Sequence, residues 1–266
     1  MIPAKFDYIK ASSLNEALQL LDRHGMDAQI LAGGQSLLPA MKLRLNRPGV
    51  LIDIGGIPGL NEIKEEGDSL IIGANCIHAA ITGSELVAKH VGLLAEAAAS
   101  IGDIQVRNLG TLGGSLAHAD PSADYPAVVL ACDAVITVAG KKESRDIAAA
   151  DFFQGIFMTA LAEDEIITSI RFPKTKKGTY QKFYQAASRF AVAGVAVVWS
   201  GDGIKVGITG VADTPYRATA VEEAYDGTGN AATKAVDGVE VMSDHFADAE
   251  YRSHLARHMV RKALES

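Results

Sequence analysis

The chain has 266 residues, 48% of them hydrophobic, enough apolar material for one large or two modest domains and too much for global disorder. Its net charge of −7 argues against general nucleic-acid binding, which needs a basic surface to neutralise phosphates. No stretch approaches the roughly 18 uninterrupted apolar residues of a membrane span, and MIPAKFDYIKASS lacks an apolar leader core, so a cytoplasmic protein is expected.

Ser13-Leu14-Asn15-Glu16 fits a capping box, and Leu14, Ala17, Leu18 and Leu21 follow at helical spacing until Gly25. A buried strand is expected over Ala28–Ala32, a short helix over Ser36–Arg44 and a strand over Val50–Ile54. Strands Asn61–Lys64 and Ser69–Ala74 flank the turn Glu66-Gly67-Asp68. An alanine-rich helix runs from about Glu85 to Ile101, a second helix from about Ser122 to Ala131, and strands cover Ala134–Ala139 and Glu165–Phe172.

The basic run Lys174–Gly178 reads as a domain break. It separates a domain over 1–173, with subdomains of about 1–56 and 57–173, from a C-terminal domain over 178–266. Three strands (Gln181–Ala187, Ala193–Trp199, Lys205–Val211), the last two joined by a Gly201-Asp202-Gly203 hairpin turn, and helices from Thr219 and Asp248 make up the latter.

The two cysteines, Cys76 and Cys132, are too few for an iron–sulfur cluster or a structural zinc site within this chain. They read as buried thiols, with one disulfide as the alternative. His254 and His258 share a helix face at metal-ligand spacing, but no third ligand is evident, and a solvated or partner-facing helix is the simpler reading. His78 and His118 follow glycine-adjacent turns, and His118 is a candidate neighbour of a ligand as much as a structural residue.

Two glycine pairs carry the functional signal. Gly33-Gly34, in ILAGGQSLL, sits between a strand and a helix start, where unpaired amides and a missing side chain suit a pyrophosphate, and Ser36 adds a hydroxyl. Alone, such a pair can be a tight turn that binds nothing. The second stretch, with Thr111, Gly113, Gly114, Ser115 and Asp124, adds hydroxyls and a carboxylate suited to a sugar chain. Together they match the chemistry of a dinucleotide, although neither the G-x-G-x-x-G nor the G-x-x-x-x-G-K fingerprint is present.

AGGQSLLPAMKLR (32–44), IGDIQVRNLGTLGGSLAHADPSADYP (101–126), EIITSIRFP (165–173) and AEYRSHLARHMVRKAL (249–264) resemble the FAD-binding medium subunit of the molybdenum hydroxylases, in order and over nearly the whole chain. The resemblance implies an α+β fold. It has a two-part FAD-binding domain of the vanillyl-alcohol-oxidase/PCMH type, then a small domain of a three-stranded antiparallel sheet with helices. It implies FAD contacts from Ile30, Leu31, Ala32, Gly33, Gly34, Gln35, Ser36 and Leu37 over the pyrophosphate, and from Thr111, Gly113, Gly114 and Ser115 in the second loop. It further implies Asp124 on flavin hydroxyls, Ile101 and Ile167 as apolar neighbours, and Lys182 or Tyr184 as a family lysine's counterpart. Gln35 stands where histidine or threonine is common, Ser115 where asparagine is, and Ser188-Arg189-Phe190 where a Gly-Asp-aromatic run is frequent.

The function implied is electron transfer through FAD, with no catalytic acid or base on this chain. Electrons would come from 2Fe–2S clusters of a small subunit, fed by a molybdenum cofactor on a large subunit, in a dimer of heterotrimers. The alternatives are a self-sufficient FAD oxidoreductase of the same fold and a binding module without redox chemistry. The alanine-rich helix and the C-terminal helix, with Arg252, His254, Arg257 and His258, are the expected docking elements.

Overall fold

A computed structural model describes residues 2–201 and 203–266; the expected turn residue Asp202 lies outside them. The chain folds as three lobes in sequence. The first holds β1 (Asp7–Lys10), α1 (Leu14–His24), β2 (Ala28–Leu31), α2 (Leu37–Lys42) and β3 (Val50–Asp53), with a parallel sheet in the order β1-β3-β2. Ser13 caps α1 by accepting from the Glu16 amide, 3.2 Å. The Glu16 carboxylate closes the box one residue further back than expected, on the amide (2.8 Å) and hydroxyl (2.6 Å) of Ser12. Central β3 is buried, as a strand flanked on both sides must be.

The second lobe starts with β4 (Ile63–Glu66), β5 (Ser69–Gly73), α3 (His78–Gly83), α4 (Glu85–His90), α5 (Gly92–Ser100), α6 (Ile104–Arg107), α7 (Leu112–His118) and α8 (Tyr125–Ala131). It continues through β6 (Val135–Ala139), β7 (Ser144–Ala148), α9 (Ala149–Phe152), the hairpin β8 (Phe153–Gly155) and β9 (Met158–Thr159), and β10 (Ile166–Pro173). Its antiparallel sheet runs β4-β5-β10-β6-β7. The expected single helix over Glu85–Ile101 is two, broken at Val91, whose φ of −146° is not helical. One face of the segment is internal: Leu93, Leu94, Ala97 and Ala98 of α5 are fully buried against the second lobe's core, while Glu96 and Ala99 are exposed.

The third lobe holds β11 (Lys177–Tyr184), β12 (Ala191–Ser200), β13 (Gly203–Thr209), β14 (Tyr216–Arg217), α10 (Thr219–Glu223) and α11 (Ala249–Leu264). A two-residue fourth strand therefore extends the expected three-stranded sheet, in the order β11-β12-β13-β14. The run AVAGVAVV in β12 is buried on both faces: Ala196 and Val198 join the second lobe's core, while Val195 and Val197 join the core under α11. A strand covered on both sides reads as a continuous apolar run rather than an alternation. Asp248 caps α11 through the Tyr251 amide, 2.8 Å. Leu255, Ala256, Met259, Val260 and Ala263 form its buried stripe, with His254 and His258 on the exposed face. Arg252, expected at a docking surface, is fully buried and bonds the carbonyl oxygens of Val192 (3.0 Å) and Gly210.

Both cysteines are free and buried. Burial pushes the Cys76 thiol up to about 11 and the Cys132 thiol up to about 12, so neither is a ready thiolate. Among the described residues, no helix is long and apolar enough to cross a membrane.

Candidate cofactor site

The three lobes meet around one cavity of about 400 Å³, within the roughly 300–1,000 Å³ of typical small-molecule and cofactor sites. The first lobe contributes the loop after β2 and the end of β3. The second contributes α7, the end of α5 and the start of β10. The third contributes Ser188, Arg189 and Phe190. Every residue expected to touch the cofactor lines this cavity except Leu31 and Lys182. Leu31 is half-buried, and its Cδ1 would lie 3.1 Å from a Cβ placed on Gly34. Lys182 stands behind the wall.

The loop from β2 into α2 is a row of unpaired donors. Among the described residues, nothing accepts from the amides of Gly33, Gly34, Gln35, Ser36 or Leu37, and the Ser36 hydroxyl has no partner. Gly34 takes a φ of +69°, open to glycine at no steric cost, and a left-handed residue in a run of free amides makes an anion-binding concavity. Gln35 does not face outward as a simple donor: its Nε2 closes the loop on Gly33 O, 3.0 Å.

The second loop works differently from the first. Its amides are already taken: Leu112 donates to Cys76 O (3.0 Å), Gly113 to Ala74 O (2.8 Å) and Gly114 to Thr111 Oγ1 (3.1 Å). What it offers a ligand is the Ser115 hydroxyl, without a partner among the described residues, and the bare face of Gly114. A Cβ on Gly114 would meet only its own cap, Thr111 Oγ1 at 2.7 Å, before Ala32 Cβ at 4.0 Å. Gly33 has a second reason to be glycine, besides the one expected: a Cβ there would run into Leu109 O and sit 2.7 Å from the Gly110 α-carbon. The missing side chain seats the first loop on the second.

Asp124, expected on flavin hydroxyls, is 4% exposed and held from behind. Lys182 Nζ lies 2.8 Å from Oδ1 and 3.0 Å from Oδ2; the Tyr180 hydroxyl donates to Oδ1 at 2.5 Å, and the Ser100 hydroxyl stands 3.4 Å away. Burial raises the Asp124 carboxyl above the usual carboxylate range, while Lys182, Tyr180 and Ser100 pull it back. Lys182 also donates to Ser100 O, 3.1 Å. This buried cluster ties β11 to the ends of α5 and α8 and fixes Asp124 where it lines the cavity. Lys182 thus meets Asp124 rather than lining the cavity, and Tyr184, the other candidate, is exposed beneath the Arg189 guanidinium.

His78 and His118 both line the cavity. His118 packs against Phe157, ring centroids 5.0 Å apart, and burial lowers its pKa. His78 Nδ1 lies 2.9 Å from the Tyr125 hydroxyl. Burial, then the nearby Arg107, push the imidazole down to about 4, while burial raises the Tyr125 phenol, which therefore keeps its proton and donates to a neutral ring. A histidine depressed from 6.5 to about 4 contributes stability that is complete above pH 6.5 and is lost as pH falls through 4, about 3 kcal/mol in all. Melting temperatures of wild type and His78→Gln should therefore diverge less at pH 4.5 than at pH 7. Parallel pH profiles would refute this account of His78.

Sequence reasoning missed Asn75, Asp120 and Glu165 as lining residues. Only Asn75 carried a local signal, a lone amide within the buried run Ile72–Cys76. The other two are ordinary loop carboxylates until the chain folds.

A cavity walled by free backbone donors at one end and by hydroxyls and a pinned carboxylate at the other, between a parallel and an antiparallel lobe, defines a nucleotide-cofactor protein. Residues 4–175 match the family described as "FAD binding domain in molybdopterin dehydrogenase", and residues 178–266 match "CO dehydrogenase flavoprotein C-terminal domain". The chain is 40% identical to the carbon monoxide dehydrogenase medium chain of Hydrogenophaga pseudoflava, covering 100% of this chain and 98% of that one. It is 37% identical to the nicotine 6-hydroxylase medium subunit of Paenarthrobacter nicotinovorans, covering 97% and 95%. It superposes on carbon monoxide dehydrogenase from Oligotropha carboxidovorans with a TM-score of 0.95 at 35% identity, covering 100% and 98%. The chain belongs to the FAD-binding medium subunits of the molybdenum hydroxylases, which are oxidoreductases.

Proposed function

We propose that this chain carries electrons through non-covalently bound FAD between a partner's iron–sulfur centre and an external acceptor. The observation that carries the reading is the unpaired amide row of Gly33–Leu37 facing bare Gly114 across one cavity. That arrangement fits a pyrophosphate on the first loop, where donors are free, with the Ser36 hydroxyl beside it. Ser115 and Asp124 fit the hydroxyls of the flavin's sugar chain. Ile101 and Ile167 supply apolar wall and keep water from the ring. When bound, FAD supplies the two-electron chemistry, and the protein orients it and sets its surroundings. No side chain of the site is needed as an acid or base.

The chain's own thiols cannot hold the feeding cluster, since two buried, protonated cysteines far apart in sequence are not a ligand set. The proposal therefore includes a small 2Fe–2S subunit and a large molybdenum subunit, assembled in the cytoplasm as a dimer of heterotrimers. The relatives named for carbon monoxide and for nicotine are similar to this chain over nearly its whole length, which supports placing substrate choice on another chain. Natively expressed protein is expected to co-purify with two further chains, molybdenum and iron, and to release FAD rather than FMN on denaturation. A chain that elutes alone, with flavin reduced directly by a small molecule, would replace this reading with a self-sufficient flavoenzyme. A colourless chain that takes up no FAD would leave a binding module.

A further inference from the structure

His78 opens α3, which packs against α5 and α6. It lines the cavity together with Ile101 and Gly102 from the end of α5, Val106 of α6 and Gly110, and is 4% exposed. Its two ring nitrogens differ. Nδ1 lies 2.9 Å from the Tyr125 hydroxyl, which is fully buried and has no other partner among the described residues. A buried phenol gives its proton to an acceptor, and Nδ1 is the one in reach, so the imidazole's own hydrogen sits on Nε2. Turning the ring over would set a carbon against the phenol and leave it unpaired. Nε2–H has no partner among the described residues, yet it is not sealed in the protein: the nitrogen keeps accessible surface. Gly110 leaves it bare, since a Cβ there would lie 2.6 Å from Nε2. The carbonyl oxygens of this wall are already bonded: Gly110 O by the His78 amide (3.0 Å), Val106 O by the Gly110 amide (2.7 Å), and Ile101 O and Gly102 O by Arg107 (2.9 and 3.0 Å).

We infer that His78 Nε2–H donates a hydrogen bond to an acceptor atom in the flavin half of the bound cofactor. The inference rests on the FAD reading above and goes beyond it. A donor that no protein group satisfies, on the wall of a ligand cavity, is a contact left for the ligand. Its position selects the half. The free amides of Gly33–Leu37 already provide for the pyrophosphate. His78, by contrast, is held by Tyr125, the residue after Asp124, and shares its wall with Ile101. Asp124 and Ile101 are the residues that face the sugar chain and the ring in that reading. The imidazole is neutral at pH 7, so it adds a directed donor and no fixed charge.

The test uses the full chain, freed of cofactor and titrated separately with FAD, FMN and ADP, with cofactor-free melting temperatures recorded. In His78→Asn the amide oxygen can take the place of Nδ1 beside Tyr125, but nothing reaches as far as Nε2. In His78→Gln the amide nitrogen can take the place of Nε2. His78→Asn should bind FAD and FMN roughly 5- to 100-fold more weakly, the range for a polar group deprived of its partner, with ADP within about twofold of wild type. His78→Gln should recover most of the FAD affinity, whatever its melting temperature. Nitrogen NMR of labelled wild-type protein reads the same contact without a variant. Nε2 should carry the proton, and its resonance should move on adding FMN and stay on adding ADP. FAD binding by His78→Asn within about twofold of wild type overturns the inference. So do a loss confined to ADP or shared equally by FMN and ADP, a proton found on Nδ1, and an Nε2 resonance that ignores FMN. Equal losses in both variants, with lower cofactor-free melting temperatures, would mark His78 as structural and overturn it too. Wild-type protein that binds none of the three removes the functional reading and this inference with it.

Discussion

Replacing Lys182 with methionine is expected to lower the melting temperature by roughly 10 °C and to weaken FAD binding as well. The side chains of Lys182 and Asp124 are each 5% exposed, so the ammonium is the main compensation for a carboxylate that burial already disfavours. Removing one partner of a buried ion pair costs about 3–5 kcal/mol, because the other charge stays buried. For a chain of this size each kcal/mol moves the melting temperature by roughly 2–4 °C. Tyr180 and Ser100 would still donate to Asp124 but cannot neutralise it. The double variant Lys182→Met with Asp124→Asn should recover much of the stability, since no unpaired charge remains. It should not recover FAD affinity, because the carboxylate is gone. Should Lys182→Met melt within about 2 °C of wild type, the pair is not the anchor described here. Asp124→Ala alone, on this structure, is a stability variant as well as a binding variant, since it strands a buried ammonium.

Gly33→Val and Gly114→Ala should separate the two uses of glycine at the site. At Gly33 the added Cβ meets the backbone of Leu109 and Gly110, which cannot swing away like a side chain. Overpacking costs typically about 1–3 kcal/mol, and here it is relieved only by parting the loops, which displaces the free amide row. At about 1.4 kcal/mol per tenfold, FAD affinity should fall on the order of 100-fold, with a lower melting temperature even without cofactor. At Gly114 the methyl projects beside Thr111 Oγ1 into the cavity. The Thr111 cap must shift, at about 0.5–2 kcal/mol, and the helix preference for alanine returns about 1 kcal/mol, so cofactor-free stability should stay within about 1 kcal/mol while FAD binds on the order of 10-fold more weakly. Thermal melts and flavin fluorescence titrations of both variants decide the matter. Equal behaviour of the two in the cofactor-free melts would mean that Gly33 does not seat one loop on the other.

Much of the architecture is written locally. The helix starts at Ser13 and Asp248, the α11 stripe and the doubly buried run of β12 are each set by residues within a few positions of one another, so periodicity and capping chemistry expose them. The two glycine loops are legible for the same reason: a backbone that must be bare is bare in the sequence. Sequence alone thus determined an apolar, two-loop, dinucleotide-type protein, and the resemblance carried by those loops named its family. Tertiary structure decided what each loop does. Lys182 and Asp124 stand 58 positions apart and meet only because β11 crosses the ends of α5 and α8. Gly33 is bare for Leu109 and Gly110 as well as for a ligand. The second loop's amides are spent on Ala74 and Cys76, and the orphaned Asn75 acceptor exists only once Ile54 has taken the other end of its amide. The alanine-rich segment around α5 went inside because the third lobe's sheet covers it. Local patterns report the spacing of residues along the chain; hydrogen-bond saturation, burial and steric contact depend on distances across it, which the fold alone sets.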